Sequence, residues 1–194
     1  YIKPFPISIA FMNGMNHKIS KSDIKASVVQ KFGIKTKYVG LGVDRLDYTK
    51  VILERFKGVE LFLKQHPLYR SEFTFLQIAA PSRSAIPKYI EFAHEVEDEA
   101  KRINDMYVTK NWKPIILVEK LYNHSDIQQF YRSVNFCLVT SLHDGMNLVA
   151  KEFIAARDDQ KGVLIVSQFT GAARELKDAL IINPYNGEQT AEAI

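Results

Sequence analysis

From Tyr38 onward, short apolar runs alternate with amphipathic stretches, the pattern of successive strand–helix units. Tyr38 to Val43 reads as a strand, and the stretch after it puts Ile52, Phe56, Val59 and Leu63 on one helical face before Pro67 stops it. Phe73 to Ala79 is a second strand. Pro87 suits the first turn of a helix whose apolar stripe is Tyr89, Ala93, Val96, Ala100 and Ile103. Ile115 to Glu119 is a third strand, and Ser125 with Gln128 forms a capping-box pattern that opens a helix carrying Ile127, Phe130, Tyr131 and Val134. Strands at Phe136–Thr140, Val163–Ser167 and Ala179–Asn183 follow. Between them lie a loop at Ser141–Gly145, a helix through about Arg157 and a short helix near Gly171–Leu176. Strands apolar on both faces and joined by helical crossovers need helices on each side. The expected fold is therefore α/β, an open doubly wound, mostly parallel, Rossmann-like sheet. Such a sheet binds its ligands at the carboxyl edge, among the βα loops.

Composition narrows the function. With 194 residues, 46% of them hydrophobic, the chain is long enough for one sizeable core and short enough for a single domain. Cys137 is the only cysteine and lies in the apolar run Phe136–Val139, which predicts a buried thiol in a protein of a reducing compartment, the cytoplasm. The 26 basic residues outnumber the 22 acidic ones, which favours anionic ligands. They are interspersed with Glu and Asp, without a Lys/Arg stripe, so small phosphorylated ligands fit better than nucleic acid. No apolar stretch approaches the roughly 20 residues that span a bilayer, and Tyr1 to Ala10 lacks the sections of a signal peptide. A chain that opens at Tyr1 with no initiator Met reads as a piece of something longer.

Two loops carry candidate chemistry. After the first strand, Arg45 and Lys50 project from the ligand edge, where a planar guanidinium and a point charge suit a diphosphate; the alternative is surface charges paired with Asp44 and Asp47. The loop does not match Gly-x-Gly-x-x-Gly, which disfavours a nicotinamide site. The second loop, Thr140 to Glu152, runs from a strand end into a helix start, where exposed amides and the helix dipole attract an anion. Asp144 is either a ligand contact or a plain N-cap, and Glu152 either accepts hydrogen bonds from ribose hydroxyls or is a solvated helix charge.

Gly42 to Lys50 (GVDRLDYTK), Asp144 to Glu152 (DGMNLVAKE), Gln77-Ile78-Ala79 with Pro81 to Arg83, Ser167-Gln168-Phe169 with Gly171-Ala172-Ala173, and Asn183-Pro184-Tyr185 together resemble the trehalose-6-phosphate synthases, glycosyltransferase family 20. The resemblance extends over most of the chain. It implies one of the two Rossmann-like domains of a GT-B enzyme, with residues 1–37 a linker and lead-in from a missing amino-terminal domain and 38–194 the nucleotide-sugar-binding domain. It further implies a retaining transfer of glucose from UDP-glucose to glucose-6-phosphate, releasing UDP, with no metal and no cofactor. By position, Arg45 and Lys50 bind the donor diphosphate, and Asp144 hydrogen-bonds the transferred glucose. Gly145, Met146 and Asn147 offer amides to the sugar, Leu148 and Val149 to the phosphates, Glu152 binds ribose and Tyr122 lies beside uracil. Arg45, Lys50 and Asp144 carry the catalysis, while Arg83 reaches the phosphate of the acceptor. The implied partners are these ligands and the missing domain, without nucleic acid or membrane, and a homo-oligomer is compatible with the reading.

Two departures from the family pattern bear on this. Val51 stands where the motif usually continues with Gly after the lysine, and the segment Phe5 to Ala10 carries Ser8 and Ala10 where Gly and Asp are usual. Two alternatives stay open: a family member with another phosphorylated acceptor, such as a glucosylglycerol-phosphate synthase, and a non-catalytic regulatory subunit of the same fold.

Overall fold

The structure is a computed structural model that describes residues 3, 6–9, 28, 30–107, 109 and 111–194. Phe5 and Ala10, on which part of the linker resemblance rests, lie outside the described residues.

Six strands form one sheet: β1 (Tyr38–Arg45), β2 (Phe73–Ala80), β3 (Ile115–Val118), β4 (Phe136–Val139), β5 (Val163–Ser167) and β6 (Leu180–Ile182). Every pairing is parallel and the order is β3-β2-β1-β4-β5-β6. The chain winds outward in one direction from β1 and then in the other from β4, so the topological switch falls between these two strands. The main helices are α1 (Ile52–Gln65), α2 (Pro87–Tyr107), α3 (His124–Ser133), α4 (Leu148–Ala156), α5 (Ala172–Glu175) and α6 (Gly187–Ala193).

Alternation along the strands divides the core in two. Phe136, Leu138 and Ile165 point to one face, where they pack with Phe56 and Leu63 of α1, Val96 and Ile103 of α2 and Ala191 of α6. Cys137, Val139, Leu164 and Val166 point to the other, against Phe130 and Tyr131 of α3, Phe153 of α4 and Ala172 of α5. Helices thus cover both faces, as strands apolar on both sides require. Cys137 is fully buried, and burial pushes its thiol up to about 12, which leaves it inert as a nucleophile.

Sequence and structure differ in three local places. The cap of α3 is Asn123, whose side chain accepts from the Asp126 amide at 2.8 Å, so Ser125 with Gln128 does not form the expected capping box. Phe92, absent from the expected stripe of α2, is buried, while Ala93 is only partly so. Helix α6 has no counterpart in the sequence reading: its mostly polar stretch shows no apolar period, and its start is set by Asn186, which accepts from the Glu188 and Gln189 amides.

Candidate functional site

A cleft of about 940 Å³ opens at the carboxyl edge over the switch point. Arg45, Lys50, Tyr122, Asp144, Gly145, Met146, Asn147, Leu148, Val149 and Glu152 all line it, together with Pro6 and Ile7. Lys50 and Asp144, 94 positions apart in sequence, meet there because β1 and β4 are neighbours in the sheet. Arg83 does not line the cleft. It sits in the β2–α2 loop at φ 49°, donates to the Tyr89 hydroxyl at 2.7 Å and lies over that ring.

The β1–α1 loop is held from beneath. Arg55, on the inward face of α1, is fully buried. Its Nη1 donates to Asp44 Oδ2 at 2.6 Å and Gln77 Oε1 at 2.7 Å, its Nε and Nη2 to Thr140 Oγ1 at 3.0 and 2.8 Å, and Nη2 also reaches the Lys50 carbonyl at 3.4 Å. Thr140 in turn donates to the Lys50 carbonyl at 2.8 Å. One guanidinium therefore joins the ends of β1, β2 and β4 to the backbone of the loop. Gly42 makes room for it, since a Cβ there would stand 2.4 Å from Arg55 Nη1 and 2.3 Å from Gln77 Oε1. Asp47 accepts from the amide and hydroxyl of Thr49, shaping a single turn at Tyr48–Lys50, and Val51 follows with φ 56° and ψ 45°, the left-handed region.

The acidic neighbours in sequence are thus occupied elsewhere, Asp44 by Arg55 and Asp47 by Thr49, and neither neutralises Arg45 or Lys50 through a direct contact. Lys50 Nζ instead donates to Asp144 Oδ2 across the switch point at 2.7 Å. Burial alone raises the Asp144 carboxyl; the hydrogen bond and charge of Lys50, with the Asn147 side chain and the Met146 amide, outweigh it and hold the group below its usual value. Arg45 is exposed.

The β4–α4 loop is held by backbone and by short polar side chains. Asp144 Oδ1 accepts from the Asn147 amide at 2.9 Å and the Met146 amide at 3.4 Å, and its Oδ2 accepts from Asn147 Nδ2 at 3.1 Å besides Lys50. Four donors thus meet a carboxylate with about four lone-pair positions. Asn147, not Asp144, is the N-cap of α4, with its Oδ1 accepting from the Ala150 amide at 3.0 Å and its own backbone at φ 71°. Leu148 and Val149 line the cleft in the first turn of α4, where backbone amides have no intrahelical acceptor. The loop is also bound to the turn after β5: Gly171 N donates to Asp144 O at 3.0 Å and Ala172 N to Met146 O at 2.6 Å. A Cβ on Gly171 would stand 2.0 Å from Gly145 O.

Glu152 is half-buried on α4. Its Oε2 accepts from the hydroxyl of Tyr131 at 3.1 Å, and no cation pairs with it among the described residues. Tyr122 packs edge-on to Phe130 with ring centroids 5.0 Å apart, and Lys31 and Lys120 lie near its ring at 4.6 and 5.6 Å. Lys151 donates to the Ile7 carbonyl at 3.2 Å and pairs with Glu175. Among the described residues no cluster of three or more His, Cys, Asp or Glu suits a metal ion, and no helix is long and apolar enough to cross a membrane.

Arg55, Gln77, Thr140 and Tyr131 escaped the sequence reading as site residues. A signal existed for one of them: Arg55 falls three residues after Ile52 and four before Val59, in the apolar stripe of α1, where an unpaired charge is costly. Tyr131 was legible only as an apolar helix residue.

A parallel sheet in this order, with its cleft at the switch point, defines the Rossmann-like class of α/β domain. Within that class the chain belongs to glycosyltransferase family 20, whose sequence profile it matches along residues 1–194. It is 38% identical over 190 residues to a bifunctional trehalose-6-phosphate synthase/phosphatase of Thermoproteus tenax, covering 98% of this chain and 26% of that one. It is 37% identical over 196 residues to an alpha,alpha-trehalose-phosphate synthase (UDP-forming) of Pichia angusta, covering 100% and 41%. Among solved structures, that of the Burkholderia xenovorans UDP-forming synthase in complex with glucose-6-phosphate superposes with a TM-score of 0.80 at 36% identity, over 89% of this chain and 40% of that one. An E. coli trehalose-6-phosphate structure bound with UDP-2-fluoro glucose gives 0.82 at 37% identity, over 90% and 41%. The chain therefore spans about two fifths or less of these relatives, and the fold it shares with them is the Rossmann-like one expected of a GT-B enzyme.

Proposed function

We propose that this chain is the donor-binding domain of a retaining glucosyltransferase that moves glucose from UDP-glucose to glucose-6-phosphate, yielding trehalose 6-phosphate and UDP. The observation that carries the reading is the meeting, over the switch point, of Arg45, Lys50 and the helix start at Leu148 and Val149 with the carboxylates of Asp144 and Glu152. Cations and a helix start suit a diphosphate, and carboxylates beside them suit the hydroxyls of two sugars.

Lys50 need not leave Asp144 to bind the donor, because an ammonium has three donors and the pair uses one. Asp144 is fully engaged, so a glucose hydroxyl enters by replacing its longest bond, the 3.4 Å contact with the Met146 amide. A hydroxyl both donates and accepts, so it satisfies the carboxylate and the freed amide together. As the bond to the sugar breaks, negative charge grows on the diphosphate. Arg45, Lys50 and the helix-start amides stabilise it in place, and the phosphate oxygen helps take the proton of the attacking acceptor hydroxyl. Arg83, outside the cleft, is assigned to the acceptor's phosphate.

Calorimetry of the chain with UDP and with glucose-6-phosphate tests the assignment. UDP binds and the acceptor binds weakly; absence of UDP binding at millimolar concentration defeats the reading. In the full-length protein, Arg45→Ala and Lys50→Ala each lower kcat on the order of a hundredfold, as loss of one transition-state donor does. A rise in donor KM with kcat intact contradicts their role.

A further inference from the structure

Four carboxylates line the cleft, and three of them are paired with cations, Asp44 with Arg55, Asp144 with Lys50 and Glu175 with Lys151, whereas no cation pairs with Glu152 among the described residues. Its hydrogen bond comes instead from Tyr131, a side chain fully buried between α3 and the sheet. The choice of partner matters. An Arg or Lys in that place would consume the negative charge, whereas a phenol fixes the carboxylate and leaves the charge available to ligand hydroxyls. Burial first, then the nearby Cys137 and Glu152, push the Tyr131 phenol well above its ordinary value, so it remains a donor throughout the working range.

The support of the pair is stiff. Tyr131 belongs to α3 and Glu152 to α4, and the two helices are tied at their ends: Arg157 donates to the carbonyls of Tyr131 at 2.9 Å and Val134 at 2.6 Å, and Arg132 to that of Ala156 at 3.1 Å. The Tyr131 ring also meets Phe153 edge-on at 6.0 Å. Its hydroxyl therefore has a fixed place relative to Glu152.

We propose that Tyr131 is a positioning residue for the donor nucleotide: its hydroxyl anchors one oxygen of Glu152 so that the other is presented to the ribose hydroxyls. The inference rests on the ribose role of Glu152. A carboxylate without the anchor samples several rotamers and loses affinity to that freedom, as metal-binding and catalytic side chains do without their supporting hydrogen bonds.

The test is UDP binding to the full-length protein, with 2′,3′-dideoxy-UDP as the second ligand and Tyr131→Phe and Glu152→Gln as variants, singly and together. Phenylalanine keeps the ring and its packing and removes only the hydroxyl. Tyr131→Phe weakens UDP binding by about threefold to tenfold, the scale of a lost hydrogen bond to a charged group acting indirectly, and leaves dideoxy-UDP binding unchanged. In the Glu152→Gln background it has no further effect. The ratio of the two ligands' affinities is the decisive readout, because both compete for the same folded molecules and partial unfolding cancels. If Tyr131→Phe leaves that ratio at the wild-type value while Glu152→Gln lowers it, Tyr131 is only a packing residue and the inference falls while the ribose role stands. If Glu152→Gln leaves the ratio unchanged, the ribose role itself fails and the inference with it.

Discussion

The two loops that flank the switch point face the same cleft but differ in what mainly secures them. The β1–α1 loop hangs chiefly on side chains, a buried Arg55 and Thr140 that grip its carbonyls from below, beside main-chain bonds from Leu142 N to Thr49 O at 2.9 Å and from Leu46 N to Ala80 O at 2.8 Å. The β4–α4 loop is bound by main-chain bonds to the turn after β5, and by Asp144 and Asn147 closing on their own backbone. A side-chain support concentrates stability in few residues and frees the residues above it, such as Arg45, for a ligand. A backbone support spreads stability over many residues but demands closeness that only glycine permits. The loops should therefore fail under different substitutions.

The largest effect is expected beneath the first loop. Arg55→Met keeps the length and removes the charge, leaving Asp44 buried without its cation and Gln77 and Thr140 without their donor. Breaking a buried pair on one side costs about 3 to 5 kcal/mol. Arg45→Met, ten residues earlier and exposed, should change stability by less than about 0.5 kcal/mol. Denaturant unfolding of the two variants checks the contrast, and equal losses would mean that Arg45 is itself a structural arginine.

How much of this could be read from the sequence follows the same division. The sheet, its winding and all six strands to within two residues follow from short apolar runs between amphipathic stretches, a local pattern. The cleft residues were legible because Gly42 to Lys50 and Asp144 to Glu152 are contiguous, so their order alone carries the resemblance. The supports were not. Arg55, Gln77 and Thr140 belong to three different elements and meet only when the sheet brings β1, β2 and β4 together. Likewise, Asp144 and Asn147 are both good caps three residues apart, and it is the Asn147 side chain, accepting from the Ala150 amide, that starts the helix while Asp144 closes on the loop before it.

The second loop is tested by one substitution in two places. Gly171→Ala places a methyl 2.0 Å from Gly145 O, against backbone that has no room to yield because Gly171 and Ala172 are hydrogen-bonded to the same loop. A loss of about 2 kcal/mol or more is expected, at the upper part of the range for overpacking. Gly145→Ala meets nothing within 4 Å and requires no change of backbone region. Its stability should hold or rise by about 0.5 kcal/mol, because alanine narrows the unfolded ensemble. Yet Gly145 lines the cleft, so the added methyl should lower affinity for a nucleotide sugar more than for the nucleotide alone. Thermal melts and calorimetry separate the two effects. A destabilised Gly145→Ala, or one that binds both ligands as before, would remove Gly145 from the sugar contact.

The smallest effect lies at the junction where the first loop enters α1. Val51 occupies the left-handed region, where a β-branched residue is disfavoured by about 1 to 2 kcal/mol. The position tolerates this because it is held from all sides: the Lys50 and Val51 carbonyls accept from Thr140, and Arg55 N donates to Val51 O at 3.2 Å. The valine therefore adopts a conformation that glycine reaches without strain. This reverses the ordinary ranking of small residues. At Val59, a buried position inside α1, glycine should be less stable than alanine by about 1 kcal/mol, the helical propensity difference. At Val51 glycine escapes the steric strain that alanine retains, which offsets its extra loss of buried methyl, so Val51→Gly should be as stable as Val51→Ala or more so. Four variants measured by denaturant unfolding give the two gaps. If the gap at 51 matches the gap at 59, Val51 stores no strain, and the support from Arg55 and Thr140 is not what holds the loop in its left-handed turn.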